Sequence, residues 1–528
     1  MLLLSLSTDV WGQRAYHKKL LFNTLFTISS TASSPDGSVI FCGTGPSDLP
    51  GDVFVFKVDE SGTPVWGNRL HNPLGQLILS CSAVAADGSI VIGGQCIDSF
   101  TALIKQPLLM RLSGGGELLW AKKITNIGLN SAVTSLCTTS DGGIAVAGAT
   151  GTESESIGLI FKVDSLGGIQ WQRSAITNMS GPELINFFRI VEDADFSLIG
   201  AAQIVNTTNS PPLELLSFVR LSKNGDVLKN AIYNCSNELM LQTTFSILPR
   251  GRFAVGFGAL SLVTAQQSSV VMEFKDVDHL LWGRKVNVLS DDVLNGMVAG
   301  TNGSLIGTTA MLGNSTVWHF FKLDSEGTVL GAAERINQQG NPFFLTPFHK
   351  QDGQYCIVTT TGTNGEPATV ELKTLSDSLT GCNAVQKLAS VQPFMMKDTS
   401  IEMLIRSANA LLESVTLNQS PLLPVSTSFV CSEGIEEVRY QPAPLLCLSP
   451  NPVRKHSMVT IAWAASSNGS YKAVVRDFSG KIVLQNTGIS VSTDMHIPID
   501  DLSSGVYIVE LLDENTFSSV WRGKMVVQ

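Results

Sequence analysis

The side chains able to do chemistry are scattered along the chain. Seven histidines, His17, His71, His279, His319, His349, His456 and His496, lie at strand or turn positions without clustering, so structural or solvated roles are expected for them rather than metal ligation. Paired carboxylates occur at Asp291-Asp292, Glu436-Glu437 and Asp500-Asp501, all in text that reads as turn or linker, where a solvated face is expected. Nine cysteines are compatible with an oxidising compartment, and the odd count leaves at least one unpaired. Most sit in strand-like runs such as Gly37-Ser-Val-Ile-Phe-Cys42, where a thiol behaves as a small buried apolar group. The chain has no Gly-x-Ser-x-Gly elbow, P-loop, Gly-x-Gly-x-x-Gly fingerprint, His-Glu-x-x-His or Cys-x-x-Cys. No catalytic, cofactor-binding or metal-binding residue is therefore assigned, and no cofactor is expected.

The elements that would position these groups repeat. Aspartate-glycine or its equivalent recurs at Asp36-Gly37, Asp87-Gly88, Asp141-Gly142, Asp195-Phe196, Arg250-Gly251, Asn302-Gly303 and Asp352-Gly353, the second members stepping by 51, 54, 54, 55, 52 and 50 residues. A glycine-rich apolar strand follows each, as in Gly88-Ser-Ile-Val-Ile-Gly-Gly94. A second strand pair ending in tryptophan comes next, as in Val53-Phe-Val-Phe-Lys-Val-Asp-Glu-Ser-Gly-Thr-Pro-Val-Trp66, with counterparts ending at Trp120, Trp171 and Trp282. Four short strands in about fifty residues make one propeller blade. A large aromatic at one place in each blade is expected to pack between neighbouring sheets rather than serve as a ligand platform.

Ring closure follows from what the ends lack. The seventh copy supplies three strands, at 343–350, 354–361 and 368–375, before Leu379-Thr-Gly-Cys-Asn383. The N-terminal Ala15-Tyr-His-Lys-Lys-Leu20 reads like Leu119-Trp-Ala-Lys-Lys-Ile124, so a strand over 14–21 is expected to complete the last blade and remove an open edge.

At 528 residues the chain exceeds one ordinary core and reads as two globular parts with a linker. Charged residues make up 15%, against a typical figure of about 25%, which suits an extracellular all-β protein. The net charge of −10 argues against nucleic acid or an anionic membrane as partner, and no apolar run is long enough for a transmembrane helix. The opening Met1-Leu-Leu-Leu-Ser-Leu6 looks like the back half of a secretory signal peptide without its basic front. Between propeller and tail, Ile401-to-Leu412 has helix-compatible spacing in otherwise strand-like text, and Gln441-Pro-Ala-Pro444 reads as linker.

The last eighty or so residues differ in kind. Leu448-Ser-Pro-Asn-Pro-Val453 forces a turn before the apolar run Met458–Trp463, and Tyr471-to-Leu484 carries hairpin chemistry at Asp477-Phe-Ser-Gly480-Lys481. Leu502-Ser-Ser-Gly505-Val-Tyr507 repeats the device, and Trp521-Arg-Gly-Lys524-Met-Val-Val527 ends the chain. In this order Pro450, Asn451, Pro452, Asp477, Gly480, Lys481, Gly505, Tyr507 and Lys524 resemble the C-terminal sorting domain of the type IX secretion system of Bacteroidetes-type bacteria. The resemblance implies outer-membrane passage, recognition of 448–528 by the export machinery, and proteolytic removal with attachment or release of the remainder. Thr380-Gly-Cys-Asn383 also resembles an element after the last blade of exported propellers, which makes Cys382 and Cys431 the candidate closing disulfide. Asp164-Ser-Leu166 and Asp377-Ser-Leu379 resemble the O-glycosylation sequons of such bacteria.

The expected fold is all-β: a seven-bladed propeller, with six or eight blades also open, followed by a small immunoglobulin-like sandwich. The expected division is 1–13 partial signal peptide, 14–383 propeller, 384–444 β-rich connector and linker, and 445–528 sorting domain. The expected product is a secreted or surface-attached protein that passes through the periplasm and binds or scaffolds an extracellular protein or polysaccharide without catalysis. The rival is a quinoprotein-like or carbohydrate-active propeller enzyme. Glycine and tryptophan three and seven residues after Asp59 miss the tighter sialidase Asp box; the quinoprotein blade is closer, yet the vicinal cysteine pair common in those dehydrogenases is absent.

Overall fold

The computed structural model describes residues 16–22, 26–45, 51–97, 104–125, 130–152, 155–208, 210–235, 238–288, 292–300, 303–311, 314–336, 346–349, 355–361, 369–375, 379, 384–399, 401–408, 411–421, 426–432, 447–449, 457–462, 471–477, 481–488, 494–500, 502–513 and 519–527. Two compact units result, Met1–Glu433 and Gly434–Gln528.

In the first unit the repeat becomes antiparallel four-stranded meanders. The first is Thr27–Ser33, Val39–Thr44, Asp52–Val58 and Pro64–His71. The other innermost strands are Gln76–Val84, Ala132–Thr138, Glu183–Glu192, Glu238–Ile247, Asp292–Ala299 and Thr346–His349. Each lies beside the next and the last lies beside the first, so the seven meanders close into a ring. The core sits between successive blades: Ile40, Cys42, Val53 and Leu70 of the first pack with Leu77, Ile90, Leu108 and Met110 of the second. At about 1.5–3 kcal/mol for each large apolar side chain buried, these inter-blade layers supply most of the stabilisation. The strand Tyr16–Leu21 pairs with Thr369–Leu375 and so takes the fourth place in the last blade.

The segment after residue 383 does more than connect. It runs back around the ring and lays one strand on the outer edge of every blade in turn. Ala384–Lys387 pairs with Val329–Ile336, Ser390–Pro393 with His279–Asn287, and Lys397–Asp398 with Val227–Asn234. Met403–Ser407 pairs with Ile169–Thr177, Leu411–Ser414 with Leu118–Thr125, and Asn418–Pro421 with Pro64–His71. Ser426–Ser432 completes the circuit on Tyr16–Leu21. All seven pairings are antiparallel. A step of about seven residues spans roughly 23 Å when extended, enough to pass from one blade edge to the next. Short, largely exposed strands such as Asn418–Pro421 end each sheet with little edge left to recruit another chain. The helix-compatible spacing at 401–412 yields to this pairing, because strands at Met403–Ser407 and Leu411–Ser414 satisfy two blade edges.

The tight turn between first and second strands needs a left-handed residue. Gly37, Gly88, Gly142, Gly251 and Gly303 have φ between 70° and 80°, and Phe196 fills the same place at φ 66°. Left-handed geometry costs a side-chain-bearing residue about 1–2 kcal/mol, and Phe196 is 56% exposed, so its ring recovers little. Phe196→Gly should leave stability equal or raise it by up to about 1 kcal/mol, since glycine's larger unfolded-state entropy offsets part of the relief. Urea denaturation with an unchanged m-value measures this; a clear loss would mean that the ring packs usefully.

The second unit is a two-sheet sandwich. Cys447–Ser449, Met458–Ala462 and Asp494–Pro498 form one sheet; Ile482–Gly488, Tyr471–Arg476, Gly505–Asp513 and Ser519–Val527 form the other. Val459 and Ile497 from the first meet Ala473, Val475, Tyr507, Val509, Met525 and Val527 from the second in a shared core.

Candidate functional site

At the turn between first and second strands, the Oδ1 atoms of Asp36, Asp87, Asp141 and Asp195 accept the amides of Ser38, Ser89, Gly143 and Ser197. A cation from the third strand joins each: Lys57 at 3.0 Å, Arg111 at 2.9 Å, Lys162 at 2.5 Å and Arg220 at 3.3 Å. The fifth blade reverses the signs, with Arg252 2.5 Å from the fully buried Glu273. Bonds from Ser89 and Ser197 hold Asp87 and Asp195 below the usual carboxylate range. At Asp36 and Asp141 burial opposes this, but Ser38 with Lys57, and Lys162 with Thr139, outweigh it and bring Asp141 to about 2. Their support is present above the ordinary carboxylate pKa and fades as pH falls through the lowered one.

The repeat tryptophans are half-buried fasteners. Trp66, Trp120, Trp171 and Trp282 each donate their indole N–H to a turn carbonyl of the following blade, at Gly114, Ser165, Lys223 and Ser325, over 2.9–3.2 Å. Lys122, Arg173 and Arg284 lie over the rings of Trp120, Trp171 and Trp282 at 5.6–5.7 Å. A Cβ at Gly116, Gly225 or Gly327 would come within 2.6–3.0 Å of Trp66, Trp171 or Trp282, so the next blade's turn sits directly on each of those rings. The inter-blade position expected of these residues holds, with indole edge and face both engaged.

Asp292 departs from the solvated turn expected for it. It is the first residue of an innermost strand, fully buried, and its Oδ2 lies 2.7 Å from His319 Nδ1. The imidazole's Nε2 is 3.4 Å from Glu334, which in turn binds Lys387 of the outer circuit at 2.8 Å. Burial acts to lower the His319 pKa, but the Asp292 and Glu334 carboxylates outweigh it and raise the pKa above its ordinary value. That contribution is full below the unfolded-state pKa near 6.5 and is lost as pH rises through the raised folded value. His319→Gln should therefore flatten the alkaline-side fall in stability relative to the parent, as read by melting temperature against pH; parallel profiles would contradict the assignment. His71 pairs similarly, its Nδ1 2.8 Å from buried Asp52, which also holds Arg69 at 2.5 Å. Among the described residues no group of three or more His, Cys, Asp or Glu is placed to hold a metal.

On the ring's inner wall six innermost strands bulge, five at one register, between Ile28/Ser30, Leu79/Cys81, Val133/Ser135, Phe187/Arg189 and Leu294/Gly296, and the fifth blade two residues further from its turn, between Met240/Gln242. The bulged hydroxyls of Ser80 and Thr134 donate to the next blade's Val133 and Phe187 carbonyls. Arg189, exposed on this wall, was not singled out from the sequence. The signal available was a charge at one copy of a position that is otherwise neutral.

In the sandwich the signature residues spend their polar groups on turns. Asp477 Oδ1 accepts the Lys481 amide at 3.1 Å while the Asp477 amide donates to the Lys481 carbonyl at 3.0 Å. Tyr507 puts its ring in the core and donates its hydroxyl to the Ser503 carbonyl at 2.8 Å. Pairings Arg476–Ile508, Ile508–Lys524 and Gly505–Val527 bring Asp477, Gly505 and the chain's last strand to one end of the sheet. Arg476 meets buried Glu510 at 3.2 Å. Pro450, Asn451, Pro452, Gly480 and Cys382 lie outside the described residues, and Cys431 is placed by its backbone opposite His17. Cys42, Cys81, Cys137 and Cys235 are free thiols. A Cys382–Cys431 bond, closing a loop of 49 steps, would stabilise by on the order of 4 kcal/mol in the chain-entropy model. Non-reducing peptide mapping of protein taken from outside the cell should find it; free thiols at both positions would exclude it.

No curated protein matches the chain. Among solved structures, similarity extends to a protein of unknown function from Dyadobacter fermentans, with 11% identity, a TM-score of 0.41 and coverage of 69% of this chain and 99% of that one. It extends also to the α-L-arabinofuranosidase Arb93A from Fusarium graminearum, with 11% identity, a TM-score of 0.40 and coverage of 70% and 100%. The β-propeller domain of the Trilobed protease from Pyrococcus furiosus gives 9% identity, a TM-score of 0.39 and coverage of 68% and 97%. The propeller assignment itself rests on the strand order and closed ring above. Residues 448–528 match the model of the secretion system C-terminal sorting domain, so the chain ends in a type IX sorting domain and is an exported protein, secreted or attached at the cell surface.

Proposed function

We propose that the first unit is the functional cargo of this export route and that it works as a rigid binding or scaffolding ring without catalysis. The observation that carries this reading is how the buried ionisable groups are used. Asp52 holds Arg69 and His71, Glu238 holds Lys285, Glu273 holds Arg252, and Asp292 holds His319. Each of these buried carboxylates is matched to a partner from the body itself, so removing either member would leave an unpaired buried group and cost the fold. A ring stitched along its whole circumference presents loops on a fixed frame, which is how such scaffolds acquire partners.

The test is a screen of the purified chain against polysaccharides, peptides and quinone-dependent dye reduction. Saturable binding without product formation is expected. A turnover that survives repurification and disappears on mutating loop residues would overturn the reading.

A further inference from the structure

The residue following each inner-wall bulge is Ser30, Cys81, Ser135, Arg189, Gln242 and Gly296 in successive blades. Where these side chains can bond, most do so locally. Ser30 Oγ lies 2.8 Å from Ser82 Oγ, Ser135 Oγ accepts the Ile190 amide at 3.0 Å, and Gln242 Nε2 donates to the Asn295 carbonyl at 3.2 Å. The fourth copy breaks the pattern with a guanidinium. Elsewhere in the body Arg69, Arg111, Arg220 and Arg252 each hold a carboxylate. The Arg189 side chain makes no ion pair or hydrogen bond among the described residues, though its backbone pairs with Ala201.

Its surroundings leave the charge uncompensated. Arg189 lies on the innermost strand Glu183–Glu192, and the ionisable groups nearest to it are the thiols of Cys81 and Cys137, from the two preceding blades. Burial pushes both thiols up to about 12, so they are neutral neighbours. Glu192, which acts on Cys137, binds the Ser140 amide at 2.7 Å and hydroxyl at 3.2 Å and makes no ion pair with Arg189. The Arg189 side chain is exposed on the wall, yet the surrounding protein removes enough hydration to lower its pKa. Its planar fork suits a carboxylate or sulfate, which it can bind through two parallel bonds.

We propose that Arg189, flanked by the Cys81 and Cys137 thiols on the inner wall, is an oxyanion-binding site that takes a carboxylate or sulfate group of an extracellular ligand. The site rests on the reading of the body as a binding ring, and it names the ligand chemistry. A ligand that binds only the folded chain raises its melting temperature saturably. The test compares the full chain with Arg189→Gln and Arg189→Lys, using sodium sulfate and sodium glucuronate as probes and sodium chloride at matched ionic strength as reference.

A saturable rise in melting temperature over the chloride reference is expected for the parent, reduced in Arg189→Lys and absent in Arg189→Gln. Response to glucuronate alone assigns a carboxylate, and response to sulfate alone a sulfate ester. No response in the parent, or an equal response in Arg189→Gln, overturns the site. Polymer binding that persists in a chain without an anion response would leave the scaffold reading standing and remove only this site. If Arg189→Gln does not fold, loss of the response in a folded Arg189→Lys chain carries the proposal, and an undiminished response there overturns it.

Discussion

A chain lacking Tyr16–Leu21 should aggregate or melt at a markedly lower temperature than the parent. That strand is the only described link between Thr369–Leu375 and Ser426–Ser432, so its loss unpairs the last blade and the end of the outer circuit together. Two freed sheet edges would then be offered to other chains. A point substitution next to the strand isolates the packing share. Phe22 is buried against Phe26 and Phe56, with ring centroids 4.9 and 5.0 Å away, and joins the strand to the first blade's core. Phe22→Ala should cost about 3–5 kcal/mol, within the range for emptying a packed aromatic site. Excision of 384–432 should have a related but broader effect, because seven blade edges lose their outer strand at once. Thermal melts with light scattering report both quantities; unchanged melting of the N-terminal deletion would mean that the ring does not depend on it.

The body was legible where the sequence repeats. Spacing of the Asp-Gly turns gave blade length, and the likeness of 15–20 to 119–124 gave the closing strand, because turn geometry and edge satisfaction are local demands that leave local marks. The outer circuit was not legible. Its strands are two to seven residues long and mostly exposed, so they carry no apolar alternation, and their pairing is fixed by the fourth-strand edges they meet. Asp292 was misread for a related reason: an aspartate pair looks solvated until a histidine 27 positions later, on another strand, supplies its partner. Arg189 was missed because only the bulge register aligns it with Cys81 and Ser135. In the sandwich Asp477 and Tyr507 stand out in the sequence because each fastens a turn, and turns are what a short motif records.

Deleting 448–528 should hold the protein inside the cell envelope. The segment folds as a separate unit with its own core, while the outer circuit ends at Ser432, so the deletion leaves every strand of the ring in place. A folded body that fails to leave the periplasm therefore separates loss of the address from loss of the fold. Fractionation of the producing cell, comparing the full chain with the 448–528 deletion and with a reporter carrying a signal peptide and residues 448–528, tests the central claim most directly. The full chain and the reporter should be recovered at the cell surface or in the medium, and the deletion in the periplasm. Normal surface delivery of the deleted chain, or retention of the reporter, would contradict it.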